Sequence, residues 1–340
     1  MNILVEMKHG LGDCVMFLPA VKALRDKYPD ASITLLINSN SNLEIFKHSG
    51  IRIDNYFYFS IKERGLWTFI KLLYALFKVK FDIALVAPQT PRLKARVFLS
   101  LLRIKKKIGY QFMPKKLLDN KPIHYVAQGV NLVEPIVGKV DSHPHLYADE
   151  ELIKKFSSYF DNSKPIVLVN VGAGAPNYYK GKYVYTKRWG ELNFVNVVDA
   201  ISKWDINVVL LGGRFEIDEE KKYENLLKRS NIYNFIGKTN LLESLALLTI
   251  ADISIGIDTG MQHVAAALGT KTISIFGPTS PRISIPFSDN AVVIESQNKC
   301  RFCFENDLLK YYTCDNRVCL KSITVERVVA VIKSELNSNK

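Results

Sequence analysis

Four stretches near the amino end decide the fold: Asn2-Ile-Leu-Val-Glu6, the turn His9-Gly-Leu-Gly-Asp-Cys14, the spaced apolar series Val15, Leu18, Val21, Leu24, and Ser32-Ile-Thr-Leu-Leu-Ile37. The first is a short apolar run suited to a buried strand, and a glycine turn follows it. The third has helical spacing and is broken by Tyr28-Pro29-Asp30 before a second strand-like run begins. Strand, helix and strand at this distance make a βαβ unit, which requires a parallel sheet. Phe81-Asp-Ile-Ala-Leu-Val86 supplies a further strand.

The pattern restarts at Pro165-Ile-Val-Leu-Val-Asn-Val171, which runs into Gly172-Ala-Gly174. A helix over 194–204, a strand at 207–211, the turn Gly212-Gly213, a charged helix over 216–229 and a Leu-rich helix over 241–251 follow. A strand at 253–257, a helix at 261–268 and a strand at 272–276 complete the series. The sequence therefore predicts an α/β protein with two Rossmann-like domains, 1–155 and 164–322, and a final helix within 323–340. The stretch 147–164 is expected as the linker region. Ligands of open parallel sheets collect beyond the carboxyl ends of strands, where loops 10–13, 172–175, 212–216 and 258–263 all fall. Two such sheets facing each other would enclose an inter-domain cleft.

With 340 residues, 48% of them apolar and 23% charged, the chain has enough material for two ordinary cores, which excludes wholesale disorder. No apolar run reaches the roughly 18–20 residues of a bilayer span. Glu6 and Lys8 interrupt the first apolar run, which excludes a secretory signal, so a cytoplasmic protein is expected. Between Ser60 and Tyr125 stand fifteen Lys or Arg against three Asp or Glu, nearly the whole net charge of +13. Such a segment is either a solvated face or a contact for an anionic partner. Nucleic acid is disfavoured, because no recognised binding motif accompanies the charge. Within it, residues 65–77 are apolar nearly all round, as a core helix would be. Their aromatic and basic flanks also suit peripheral attachment to an anionic inner leaflet or a phosphorylated glycolipid.

Several residues can carry chemistry. The first turn fails the dinucleotide fingerprint, which needs glycine where Val15 stands, and no phosphate-binding P-loop occurs. Asp13 lies where that turn meets a helix, as an N-terminal cap or as a base. Asp258-Thr-Gly-Met-Gln-His263 follows a buried strand and opens an apolar helix; it reads as a structural cap or as an anion site made by Thr259, Gly260 and the free first-turn amides, with His263 near Asp258. Lys187-Arg188 can hold a diphosphate, and Glu216 can accept from ribose hydroxyls, although such side chains are usually just solvated.

In this order these motifs resemble glycosyltransferase family 9, known best for ADP-heptose:lipopolysaccharide heptosyltransferases. The likeness spans nearly the whole chain: Gly10-Leu-Gly-Asp13 with Leu18-Pro19, His124 before the helix at Val130, Lys187-Arg-Trp189, Asp258-Thr-Gly-x-x-His263, Phe276-Gly-Pro-Thr279 and Cys300-x-x-Cys303. The resemblance implies the GT-B fold with the nucleotide sugar held mainly by the later domain. It also implies an inverting transfer in which Asp13 is the base, Gly10, Gly12 and Lys8 lie on the acceptor side, and no catalytic cofactor or divalent cation is needed. ADP-heptose is the implied donor, and an anionic glycolipid, lipopolysaccharide core, other surface glycan or protein hydroxyl the acceptor. An epimerase-like enzyme that consumes the donor without transfer, and a non-catalytic nucleotide-sugar-binding protein, are the alternatives.

Four of the five cysteines, Cys300, Cys303, Cys314 and Cys319, form C-x2-C-x10-C-x4-C. In a cytoplasmic protein this pattern suits a structural zinc or iron, with free or oxidisable thiols as the other reading. Cys14 is expected as a buried apolar residue.

Overall fold

Five of the six residues of β1 (Asn2–Met7) are buried, and its hydrogen-bonded neighbours are β2 (Ser32–Ile37) and β4 (Lys80–Val86), both parallel to it. With β3 (Asn55–Tyr58) and β5 (Arg103–Ile108) the order is β3-β2-β1-β4-β5. Strands covered on both faces read as continuous apolar runs, which is how the first βαβ unit came to be legible. The computed structural model describes residues 1–59, 61–113, 123–172, 177–190 and 192–338, without the side chains of 61–64. The chain divides into two units, Met1–Tyr147 and Ala148–Lys340.

In the first unit α1 (Leu11–Lys27) begins directly at the glycine turn. Helix α2 (Asn40–Lys47) follows β2 and is capped by the Ser39 hydroxyl, which accepts from the Asn42 amide. The next helix, α3 (Ile61–Lys78), is broken at Gly65, whose φ of 78° only glycine adopts readily. Then come α4 (Arg92–Ser100) and α5 (Tyr125–Val137). Gly129 lets α5 close on Phe17 and Ala20 of α1. On one face of the sheet Leu72 and Leu76 of α3 and Phe98 and Leu99 of α4 pack with Leu4, Leu36, Ala84 and Val86. Residues 65–77 therefore supply a core, but only along one side of α3. The basic run 103–107 is an edge strand, where charged side chains discourage pairing with another sheet.

The second unit opens with α6 (Glu150–Ser157), inside the stretch expected as linker. Phe156 packs edge-on against Phe235, with ring centroids 5.6 Å apart, and this ties the helix to the second sheet. That sheet comprises β6 (Ile166–Asn170), β9 (Asn207–Gly212), β10 (Ile232–Ile236), β11 (Ile253–Ile257), β12 (Lys271–Phe276) and β13 (Ala291–Glu295). Their order is β10-β9-β6-β11-β12-β13, parallel throughout, and a separate hairpin joins β7 (Asn177–Tyr179) to β8 (Lys182–Val184). Helices α7 (Asn193–Ile201), α8 (Leu241–Ile250) and α9 (Gly260–Ala267) connect the strands, and Val325–Asn337 is the last helix. Both units are thus Rossmann-like.

The charged α-helix expected over 216–229 is instead two 3-10 segments, Arg214–Tyr223 and Leu226–Lys228. Glu216 and Tyr223 are its buried residues, while Phe215 and Ile217 are exposed. With no apolar stripe at a spacing of 3.6, burial does not enforce the wider helix.

Leu76 is fully buried between α3 and the first sheet. Leu76→Ala should lower stability by about 2–5 kcal/mol in a urea titration, the range for truncating a well-packed leucine.

Candidate functional site

Each sheet has a point where successive connections leave in opposite directions, between β1 and β4 in the first and between β6 and β11 in the second. Loops at such points form the crevice where open α/β sheets take ligands. The turn at Gly10 follows β1, Gly172 follows β6, and Asp258 follows β11.

Asp258 is buried, and Lys187 reaches it from a separate loop. The Lys187 ammonium donates to Asp258 Oδ2 at 2.7 Å and to the Asp258 carbonyl at 3.1 Å. His263 Nε2 lies 3.8 Å from Oδ1, one turn along α9. Burial pushes the Asp258 carboxyl up, but the Lys187 charge and the His263 ring together overcome that and hold it well below the usual carboxylate range. His263 is itself buried, and its Nδ1 has no hydrogen-bonding partner among the described residues. Thr259 occupies the N-cap position of α9, but its hydroxyl accepts no first-turn amide, and Thr259 and Gly260 are partly exposed. The first amides of α9 are therefore available to an anion beside a lysine.

Below this corner Asn170 Nδ2 donates to Ser254 Oγ at 2.9 Å; Gln262 Nε2 reaches the same oxygen, and Ser274 Oγ donates to Gln262 Oε1. This buried chain links β6, β11, α9 and β12 and fixes the helix tip on the sheet. It was not foreseen, although polar residues inside apolar strand runs were its visible signal.

Glu216 is buried at the ends of β6 and β9, where its Oε2 accepts from the Gly213 amide at 2.9 Å. A Cβ on Gly172 would come within 2.2 Å of the Glu216 side chain, so glycine is what admits the carboxylate. Residues 173–175 of the expected loop lie outside the described residues. Arg188 diverges from Lys187: it pairs with Glu219 at 3.1 Å, and its guanidinium lies over the Tyr185 ring at 4.0 Å. Trp189 is buried and donates to the Ile323 carbonyl at 3.0 Å.

In the first unit Asp13 is the third residue of α1, and its carboxylate turns back to accept from the Gly10 amide at 3.1 Å. It thus serves the helix start while remaining partly exposed, as do Gly12 and Lys8. The Lys8 ammonium pairs with buried Glu6 at 2.9 Å and sits over the Phe59 ring at 3.6 Å. Thr90, after β4, donates to Glu6 Oε2 at 2.7 Å and meets His9 Nε2 at 2.8 Å. Sequence reasoning missed this bridge between the two loops; an acid inside a buried strand was the clue. His124 is the N-cap of α5, its Nδ1 accepting from the Val126 amide at 3.2 Å. Burial pushes the Cys14 thiol up to about 12.

The other four cysteines are free thiols in one segment, which docks on the end of β12: Phe302 and Phe304 amides donate to the Gly277 and Pro278 carbonyls. Phe302 and Arg317 adopt left-handed backbone conformations, and the Arg317 amide approaches Cys314 Sγ at 3.4 Å. Among the described residues no three His, Cys, Asp or Glu side chains are arranged to hold a metal ion. The segment also braces Lys187: Thr186 donates to the Tyr311 hydroxyl at 2.6 Å, and Arg317 donates to the Thr186 carbonyl at 2.7 Å.

A lysine at an open helix tip, over the switch point of a doubly wound sheet, is an arrangement chemically able to receive an anion. The model of glycosyltransferase family 9 (heptosyltransferase) matches residues 69–312. The chain is 24% identical over 339 residues to lipooligosaccharide heptosyltransferase 2 of Campylobacter jejuni, covering 98% of both. Its fold matches E. coli ADP-heptose lps heptosyltransferase II with a TM-score of 0.72 at 20% identity, over 100% of this chain and 99% of the other. It also matches the iron-containing dodecameric glycosyltransferase TibC of enterotoxigenic E. coli at 0.60 and 13% identity, over 100% and 77%. The chain belongs to glycosyltransferase family 9, and it is a glycosyltransferase of GT-B architecture.

Lys187→Met takes the ammonium away from a buried carboxylate, leaving it only His263, and should cost about 3 kcal/mol at neutral pH. Because the Asp258 pKa is lowered by folding, the stability it contributes is present above its unfolded value of about 4 and is lost as pH falls below that. The gap between wild type and Lys187→Met in urea titrations should therefore narrow from pH 6 to pH 3, values chosen to lie about two units above and one unit below that point.

Proposed function

We propose that the protein transfers heptose from ADP-heptose to a hydroxyl of an anionic lipopolysaccharide-core acceptor, with inversion and without a catalytic divalent cation. What carries the reading is the Lys187 ammonium beside the uncapped first turn of α9. A diphosphate there meets backbone amides and a cation that Asp258 holds in place, so its charge is stabilised as it leaves. The relatives named heptosyltransferases support the sugar and the acceptor class.

In the proposed step Asp13 accepts the proton of the acceptor hydroxyl as its oxygen bonds to the anomeric carbon. The bond from that carbon to the diphosphate oxygen breaks with its electron pair, and ADP departs. Glu216, in its glycine-lined niche, is the proposed acceptor for the ribose hydroxyls, and His263 steadies Asp258. Arg188, turned to Glu219, acts at the margin of the same strand ends. Gly10, Gly12 and Lys8 border the acceptor side.

Asp13→Asn should reduce transfer by about 10²- to 10⁴-fold, the usual worth of a general base, while ADP affinity by calorimetry stays unchanged. Equal turnover would remove Asp13 from this role. Heptose release from ADP-heptose at the same rate with and without acceptor would instead indicate an enzyme that does not transfer.

Four thiols on a segment with two left-handed turns suit a thiophilic ion, and we assign Cys300, Cys303, Cys314 and Cys319 as its ligands, holding zinc or iron in a structural role. TibC, similar in fold, is named iron-containing, which supports iron as a candidate ion. Metal analysis of the purified protein should find close to one equivalent, and Cys303→Ser should lose it. Equal sub-stoichiometric metal in both would refute the assignment.

A further inference from the structure

The hairpin of β7 and β8 turns on Lys180 and Gly181, whose φ values of 45° and 84° are those of the tight two-residue turn that matches the twist of its strands. Its register sets Tyr178 opposite Tyr183 and Tyr179 opposite Lys182. Side chains alternate between the two faces of a strand, and Tyr179 is stacked on Tyr312 with ring planes 5° apart. One face of the hairpin is therefore turned to the body of the second unit, and Tyr178 and Tyr183 stand on the other. They are 67% and 72% exposed, with ring centroids 5.2 Å apart and planes at 62°, so two uncovered aromatic surfaces meet at an angle.

This tip is held in place. Asn177 Nδ2 donates to Thr186 Oγ1 at 2.7 Å and closes the base of the hairpin, while Thr186 donates to Tyr311. The tyrosine pair is thus pre-set, and little ordering is left to be done on binding. Tyr183 precedes Lys187 by four residues, which keeps their backbones within about 14 Å. From Asn177 to Trp189 the sequence has four tyrosines, four Lys or Arg and no acid. Of these cations Lys187 is engaged by Asp258 and Arg188 by Glu219, whereas Lys180 and Lys182 are exposed at the tip, Lys180 lying 5.6 Å over the Tyr179 ring.

We propose that the hairpin tip binds an anionic saccharide, a sugar chain bearing phosphate or carboxylate groups, with its rings against Tyr178 and Tyr183 and its charges at Lys180 and Lys182. One face of a pyranose is lined by weakly positive C–H bonds, which suit the negative face of an aromatic ring, and its hydroxyls meet the phenol oxygens. The two ammonium groups supply the charge that complements the anion. The chain belongs to a glycosyltransferase family, which makes a glycan the occupant that fits a surface so near Lys187. A second copy is the poorer occupant, because a two-fold contact sets the same lysines against each other. Identifying this saccharide with the acceptor rests on the transfer reading above, whereas the binding itself does not.

Fluorescence anisotropy with labelled phosphorylated mannopentaose and labelled oligogalacturonate should report binding to the full chain, the tighter of the two showing which anion is read. Neutral mannopentaose should bind on the order of tenfold more weakly, and salt should narrow the gap. Tyr178→Leu with Tyr183→Leu keeps an apolar cross-strand contact but removes the flat rings, and should weaken binding by on the order of tenfold. Tyr178→Phe with Tyr183→Trp should restore it. Lys180→Asn with Lys182→Gln should erase the preference for charged over neutral sugar, and circular dichroism and ADP affinity should stay unchanged throughout. In transfer assays the leucine pair should raise the acceptor KM about tenfold with kcat unchanged. Saccharide binding without transfer to any acceptor would refute the transfer reading and leave the binding assignment standing. No binding of either anionic probe, leucine variants that bind like wild type, or an acceptor KM that they do not move would overturn the proposal. So would tighter binding of a short oligodeoxythymidylate, which would give the rings to single-stranded nucleic acid.

Discussion

A buried carboxylate at the end of a central strand cannot stand alone, and the second unit is arranged around that fact. Asp258 is 5% exposed, yet it remains ionised because Lys187 and His263 converge on it. Its cation comes from 71 residues earlier in the chain, so the pair fastens the loop before α7 to the loop before α9. Removing either partner strands the other's charge, and this mutual dependence is what fixes the ammonium at the helix tip. The bond that stabilises the folded state therefore also places the charge that a diphosphate would meet.

Lys187 is held from behind as well. Thr186 and Trp189, on either side of the Lys187-Arg188 pair, are both buried, and their partners are Tyr311, Arg317 and the Ile323 carbonyl. Every one of those partners lies in or just beyond the cysteine-bearing segment. Tyr179 in the hairpin stacks on Tyr312 with centroids 4.7 Å apart, which extends the same support. The thiols thus sit on the element that aims the lysine, far along the chain from it.

Much of this was legible in sequence because buried parallel strands cannot hide. Ile253–Ile257 and Asn207–Gly212 are nearly unbroken apolar runs, and their glycine or aspartate ends mark where the chain turns. The peripheral strands were not read: Arg103–Ile108 carries four cations at a sheet edge, and Ile232–Ile236 includes Asn234 and Tyr233. An edge strand is defined by its backbone partner, not by its own burial, so periodicity alone misses it. The short helix Glu150–Ser157 looked like a linker for the same reason, since Phe156 is its one buried residue.

The site shows the same division between what a residue type announces and what only a fold can assemble. Asp258, Lys187 and His263 each stood out in a motif, but their convergence depends on β6 and β11 being adjacent. Lys187 and Arg188, adjacent in sequence, end on different partners, because neighbouring side chains outside a helix seldom share a direction. Glu216 was visible as an acid past Gly212-Gly213, whereas the reason it can be buried lies at Gly172, beyond the end of β6. Likewise Glu6 and Thr90 are 84 residues apart and meet only because β1 and β4 pair. Side chains that a motif groups need not act together, and those that act together are brought there by strand order.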